Sequence, residues 1–292
     1  MSWYEGFEHI VREDEPLGTY TWFRLGGVAE FFAEPNSVDE LAQLLRRCDQ
    51  HDIPFRVIGG GSRVLISDAG VKGLVVHLSA PAFCETSVEG SYITAGGGAK
   101  LGHVVSLSVG VSLGGLESLV GVPGTVAGAL KGNADSYGAS IGQWTESVKV
   151  MSRSGAITEY DRDQLRFSYR QSSLDDPVIL SARFELEPRD PHELTRRMQK
   201  LWIMKRSQQP SGSEGSGRIF ADPQGISAAE LIEQVGLRSL KVGGAELSEK
   251  NANYVVIHSG AKTDDVRMLI EQVKNKVASE LGVDLQCELQ IW

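Results

Sequence analysis

Val38, Leu41, Leu44, Leu45 and Cys48 recur at helical spacing behind Asn36-Ser37, two residues able to cap, so the pattern predicts a helix over 37–50 packed on one face. The following Phe55-Arg56-Val57-Ile58 reads as a strand. So do Leu74–Leu78, Tyr92–Ala95 and Ser147–Met151, short β-rich runs bounded by Gly, Pro or Asp. Val104, Val105, Leu107 and Val109 before Gly110 predict a short helix. Residues 20–188 therefore mix strands with few helices, which points to an α+β unit and away from regular βαβ alternation.

The pattern changes at Glu187-Pro188-Arg189-Asp190-Pro191, and the expected division is 1–188 and 189–292. His192 to Arg206 is helix-like and basic, and Ser207–Gly217 holds almost nothing apolar and reads as a loop. Ala228, Leu231, Ile232 and Val235 predict a second helix, closed by Gly236. Val266, Leu269, Ile270, Val273, Val277 and Leu281 predict a long one closed by Gly282. Asp264 and Asp265 stand at its start, where carboxylates suit the helix dipole, so they are not read as a catalytic pair. A final strand over 284–291 completes an α/β C-terminal domain.

A length of 292 residues suits about two domains of roughly 100–200 residues each. Hydrophobic residues at 41% and charged residues at 23% allow an ordinary globular core, and a net charge of −9 disfavours non-specific nucleic-acid binding. The three cysteines, Cys48, Cys84 and Cys287, are too few and too widely spaced for a disulfide framework or a zinc site. The first residues show no basic segment followed by an apolar one, and no run of about 18 apolar residues occurs. A monomeric cytoplasmic enzyme with no membrane or nucleic-acid partner is the expectation.

His-Glu-x-x-His, Cys-x-x-Cys and the Walker Gly-x-x-x-x-Gly-Lys-Ser/Thr are all missing, so zinc hydrolysis and P-loop phosphoryl transfer lose their simplest support, and no metal is expected. His77 and His103 lie in apolar surroundings and read as structural. The 33 glycines are the outlier, and two clusters stand out. Gly121-Val122-Pro123-Gly124-Thr125-Val126-Ala127-Gly128-Ala129 is nearly free of bulky side chains, which suits backbone lying against a large flat ligand. Gly59-Gly60-Gly61-Ser62 follows a strand and would form an anion-binding nest of N–H groups. Together they suggest a nucleotide-type cofactor held by main chain; the alternative is a pair of turns that merely join strands. A Rossmann reading fails, because the Gly59–Gly61 loop runs on into the β-like Arg63-Val64-Leu65-Ile66 and not into a helix.

The order Thr21–Gly27, Gly59–Ser62, Gly121–Ala129 with Asn133 and Tyr137-Gly138 resembles the flavin-binding half of the UDP-N-acetylenolpyruvoylglucosamine reductases. The likeness runs on through Tyr169–Ser172, Gln209-Pro210, Phe220 with Pro223, Gly243-Gly244-Ala245, Asn251–Asn253 and Leu285–Glu288. It implies an FAD domain of the vanillyl-alcohol-oxidase type, built of two α+β subdomains, followed by a smaller substrate domain of the family's compact subtype. It further implies FAD as cofactor, NADPH as co-substrate, and reduction of UDP-N-acetylglucosamine enolpyruvate to UDP-N-acetylmuramate in peptidoglycan precursor synthesis. By that resemblance Gly59, Gly60, Gly61, Ser62, Gly121, Pro123, Gly124, Thr125, Gly128 and Asn133 bind the flavin. Arg170 would stabilise the enolate-like species that follows hydride transfer, and Glu288 would assist at the same centre. Without the resemblance, Arg170 reads as a surface ion pair in a polar turn, and Glu288 as one of a solvent-facing set with Gln286 and Gln290.

Four positions depart from the family, one of them at the place of its proton donor. Where its members carry a serine or cysteine as proton donor, this chain has Arg218, whose guanidinium gives up a proton poorly. Arg63, Asp135 and Ala221 also replace common Asn, Gly and Lys, and Ser211, Ser213 or Ser216 is a candidate substitute hydroxyl. Two readings fit: a working reductase with another proton source, or a flavin- or UDP-sugar-binding paralogue with little reductase activity.

Overall fold

The computed structural model describes residues 2–210, 215–223 and 225–292. Its chain forms two compact units. The first comprises residues 1–13, 30–60 and 72–205, the second 14–29, 61–71 and 206–292. These units do not follow a single cut after residue 188. The long helix Pro191–Gln208 stays with the first unit as far as Lys205, and two early segments join the second.

In the first unit the helix Val38–Gln50 forms as its spacing predicts, and the Ser37 hydroxyl caps it by accepting from the Glu40 N–H at 3.2 Å. Its face of Leu41, Leu44, Leu45 and Cys48 packs with Phe55, Leu74 and Val76 of the parallel strands Phe55–Ile58 and Val71–His77. These strands belong to a four-stranded sheet with Val11–Pro16 and Val28–Ala33. A five-stranded antiparallel sheet holds, in spatial order, Ile157–Asp161, Thr145–Met151, Val178–Glu185, Tyr92–Gly96 and Thr86–Glu89. Ile93, Val148, Val150 and Phe184 form its buried face, covered by the helices Leu101–Gly110 and Val126–Lys131 through Leu101, Val104, Val105 and Leu130.

The second unit is built on an antiparallel sheet ordered Ser216–Arg218, Tyr254–Ile257, Ala245–Leu247 and Lys241–Val242. The helices Ala228–Gln234 and Thr263–Leu281 cover it with Leu231, Ile232, Val266, Leu269, Val273 and Val277. Gly282 closes the longer helix in the left-handed region at φ 68°. Segment 61–71 belongs here because Val64–Leu65 pairs in parallel with Gln290–Ile291, and because the Thr263 hydroxyl donates to Ile66 O at 2.6 Å.

Two expectations need correction. Within the presumed loop 207–217, the helix runs to Gln208 and Ser216–Arg218 is a strand. Gly217 makes that strand possible, since a Cβ there would lie 2.4 Å from the Phe23 ring in the core. The final strand is only Gln290–Ile291; upstream of it, Cys287 makes an isolated bridge to Phe220. Ser211 and Ser213 lie outside the described residues.

Candidate functional site

The two glycine-rich stretches meet in the first unit. A Cβ on Gly59 would lie 2.5 Å from Thr125 Oγ1, and one on Gly60 would lie 2.7 Å from the Cα of Gly124. Gly60 therefore meets Gly124 main chain to main chain, while Gly59 packs on the Thr125 side chain, and neither glycine has room for a Cβ. Gly121 and Gly124 take φ of 74° and 108°, conformations that favour glycine. Thr125 caps the short helix behind them, its hydroxyl accepting from the Gly128 N–H at 3.4 Å. Pro123 is half-buried between the two positive-φ glycines.

A third run missed in the sequence, Gly96-Gly97-Gly98, braces this pair. Val126 N–H donates to Ala99 O and Ala127 N–H to Gly97 O, both at 2.9 Å, while Leu101 N–H donates to Gly124 O at 3.0 Å. A Cβ on Gly97 would lie 2.0 Å from Ile179 O. Three glycines after a strand were the available signal. Gly61 and Ser62 belong to the second unit, where Gly61 takes φ 61° and accepts from Trp22 N–H at 3.1 Å.

Further along the first unit, a cavity of about 380 Å³ is lined by Asn133, Asp135, Arg162, Phe167, Tyr169 and Arg170 among others. That size lies within the range of small-molecule pockets. Asn133 shapes it: its Nδ2 donates to Ser168 O at 2.7 Å and its Oδ1 accepts from Gly142 N–H at 3.1 Å. Arg170 occupies the tight turn between the paired Phe167–Ser168 and Gln171–Ser172, at φ 59°. Its side chain is not the surface group a polar turn suggests. It is only 15% exposed, and its Nε lies 2.7 Å from Asp135 Oδ1. A non-glycine residue in the left-handed region costs about 1–3 kcal/mol, and the ion pair helps hold this one there.

The other charged positions cluster in the second unit. Glu288 departs from the solvent-facing pattern of Gln286 and Gln290: its side chain is 7% exposed and Oε2 accepts from Arg63 Nη2 at 3.2 Å. Glu288 N–H donates to Ile219 O at 2.8 Å, which places it beside the strand that carries Arg218. Arg218 donates through Nη2 to Asp222 Oδ2 at 2.6 Å and through Nε to Phe220 O at 3.2 Å. Burial works to lower the pKa of this guanidinium, but Asp222, Glu288 and Tyr254 outweigh it and the net shift is upward. Arg218 is thus a fixed cation.

The residues fit a flavin nucleotide in one respect that the fold displays directly. Where Gly59–Gly60 meets Gly124, partly exposed main chain without side chains is presented, the surface a pyrophosphate or a flat ring can approach.

Residues 209–292 match the family described as UDP-N-acetylenolpyruvoylglucosamine reductase, C-terminal domain, and residues 29–161 match an FAD binding domain. The chain is 41% identical over 288 residues to a UDP-N-acetylenolpyruvoylglucosamine reductase of Rhodopirellula baltica, covering 99% of this chain and 94% of that protein. A relative of the same description from Heliobacterium modesticaldum is 34% identical over 282 residues, covering 96% and 90%. The crystal structure of the corresponding reductase from Thermus caldophilus superposes with a TM-score of 0.83 at 32% identity, covering 97% of this chain and 99% of that one.

Proposed function

The chain belongs to the UDP-N-acetylenolpyruvoylglucosamine reductase family, and from that premise we propose how its own residues serve the reaction. It is an FAD-dependent oxidoreductase that uses NADPH to reduce UDP-N-acetylglucosamine enolpyruvate to UDP-N-acetylmuramate for peptidoglycan. Bound FAD supplies hydride transfer from NADPH to the enolpyruvyl double bond.

Gly59, Gly60, Gly121, Pro123, Gly124, Thr125 and Gly128 present the main chain that holds this cofactor, joined by Gly61 and Ser62, with Asn133 shaping the neighbouring cavity. Arg170, turned by Asp135, supplies a fork of donors to the substrate carboxylate as negative charge builds beside it. Glu288, held by Arg63, assists at the same centre. Arg218 acts there as a cation, because Asp222 and Phe220 O already engage it and its proton is not for transfer. Cofactor binding is assigned chiefly to residues 1–188 and substrate binding to 189–292, in a monomeric cytoplasmic protein whose partner is a small UDP-sugar.

The observation that carries this reading is the main-chain meeting of Gly60 with Gly124. Arg218 and its tie to Asp222 favour a second one, a flavin- or UDP-sugar-binding paralogue with little turnover. Rapid-mixing absorbance of the flavin separates them. NADPH bleaches it wherever flavin is held, but the enolpyruvyl substrate restores the oxidised spectrum only in a working reductase.

A further inference from the structure

Hydride addition to the distal alkene carbon leaves an electron pair on the carbon that bears the carboxylate, and the product forms only when that carbon is protonated. Arg218 is a poor source, because a guanidinium keeps its proton throughout the working pH range. The strand Ser216–Arg218 pairs antiparallel with Tyr254–Ile257, and Arg218 stands directly opposite Tyr254. Directly opposed residues project from the same face with Cβ atoms about 4.5–5.5 Å apart. The neighbouring pair, Gly217 and Val255, takes the other face: Gly217 lies against the Phe23 ring, and Val255 is fully buried. Tyr254 is therefore turned away from the core, partly exposed, on the face that carries the Arg218 guanidinium. The Phe220–Cys287 bridge and the Glu288 N–H bond to Ile219 O bring Glu288 beside the same strand.

We infer that Tyr254 delivers the proton that completes the reduction. The inference rests on the reductase reading above. The phenolic O–H bond breaks as a C–H bond forms at the carbon beside the carboxylate. The O–H electron pair stays on the phenolate oxygen, which Arg218 faces as a cation, and water then returns the proton. A phenol, with a pKa of about 10, is a far better donor than a guanidinium.

The test is Tyr254→Phe in the FAD-loaded protein, followed by rapid-mixing absorbance. Flavin reduction by NADPH is expected to stay at the wild-type rate, while reoxidation by enolpyruvyl-UDP-N-acetylglucosamine slows about 10²–10⁴-fold. A reoxidation rate within threefold of wild type overturns the inference, as does the same loss in Ser216→Ala, whose hydroxyl shares that strand face. A fluorinated tyrosine at position 254 keeps the shape and acidifies the phenol, so it covers a Phe variant that fails to fold. The alkaline limb of the reoxidation rate then moves to lower pH, and a stationary limb overturns the inference. Wild-type flavin that NADPH reduces but the substrate never reoxidises removes the reductase reading itself, and this inference with it. Normal wild-type turnover with an indifferent Tyr254→Phe removes only the inference.

Discussion

Arg63 and Glu288 stand 225 positions apart in the chain and 3.2 Å apart in the fold. The parallel pairing of Val64–Leu65 with Gln290–Ile291 brings them together, helped by the Gln290 N–H bond to Arg63 O at 2.8 Å. A carboxylate with only 7% of its side chain exposed thereby has a cation beside it. The arginine that departs from the family's usual asparagine thus has a structural counterpart within this chain.

Arg63→Ala should therefore destabilise the protein by about 1–3 kcal/mol. Breaking a fully buried pair costs about 3–5 kcal/mol, but Arg63 is itself 32% exposed and Arg218 remains close to Glu288. Urea unfolding measures the loss, and Arg63→Ala combined with Glu288→Gln should recover part of it. A double variant no more stable than Arg63→Ala would show that the carboxylate is not the origin.

Asp135 holds Arg170 at 2.7 Å in a turn where its backbone is strained. Asp135→Ala is expected to slow substrate-driven reoxidation of the flavin about 10–100-fold, the scale of a displaced catalytic group, with little change in reduction by NADPH. Equal losses in both half-reactions would point to a general defect in the cavity.

Two glycine substitutions should have opposite effects. Gly60→Ala places a Cβ 2.7 Å from the Gly124 main chain, so the loops must part at a cost of about 1–3 kcal/mol, and FAD should be lost on gel filtration. Gly102→Ala meets nothing within 4 Å on an exposed helical position and should gain up to about 1 kcal/mol. Thermal melting of the two variants checks both signs.

Glu34 accepts from His77 Nδ1 at 3.0 Å, Ser79 Oγ at 2.8 Å and Arg12 Nη2 at 2.9 Å. Burial alone would raise its pKa, but these bonds outweigh it and hold the carboxyl below the usual range. A carboxyl depressed in the folded state stabilises above its unfolded pKa of about 4.3 and loses that contribution as pH falls toward the folded value. Glu34→Gln should therefore cost about 0.2–1 kcal/mol at pH 7, and the difference should shrink below about pH 4. A gap that persists unchanged at pH 3 would assign the loss to packing.

Burial pushes the Cys48 thiol up to about 12 on the packed face of the helix Val38–Gln50. Reaction with a thiol reagent at pH 8 should spare Cys48 until the protein unfolds, because the reacting thiolate is almost absent there. Mass spectrometry of partially labelled protein would expose any early modification.

Much of this was legible from local pattern. Apolar spacing marked the helices 38–50, 101–110, 228–234 and 263–281 to within a few residues, because one-sided burial imposes a helical period. The glycine clusters around 59–61 and 121–128 were legible too, since positive φ and close main-chain approach exclude side chains. The run Gly96–Gly98 was visible but passed unread, lacking any flanking motif. Strand Ser216–Arg218 was hidden, because an apolar count cannot register a glycine whose neighbour, Phe23, lies almost two hundred positions away.

By itself the sequence determined most of the element types, the glycine-rich turns and the family likeness, all carried by neighbouring residues in the chain. Only the tertiary structure decided that Glu288 is enclosed while Gln286 and Gln290 face solvent, that Arg63 is its partner, that Arg170 is turned onto Asp135, and that Arg218 faces Tyr254. The reason is that burial and ion pairing depend on which distant segments come to lie alongside, and alternation along one strand carries no record of what packs against it.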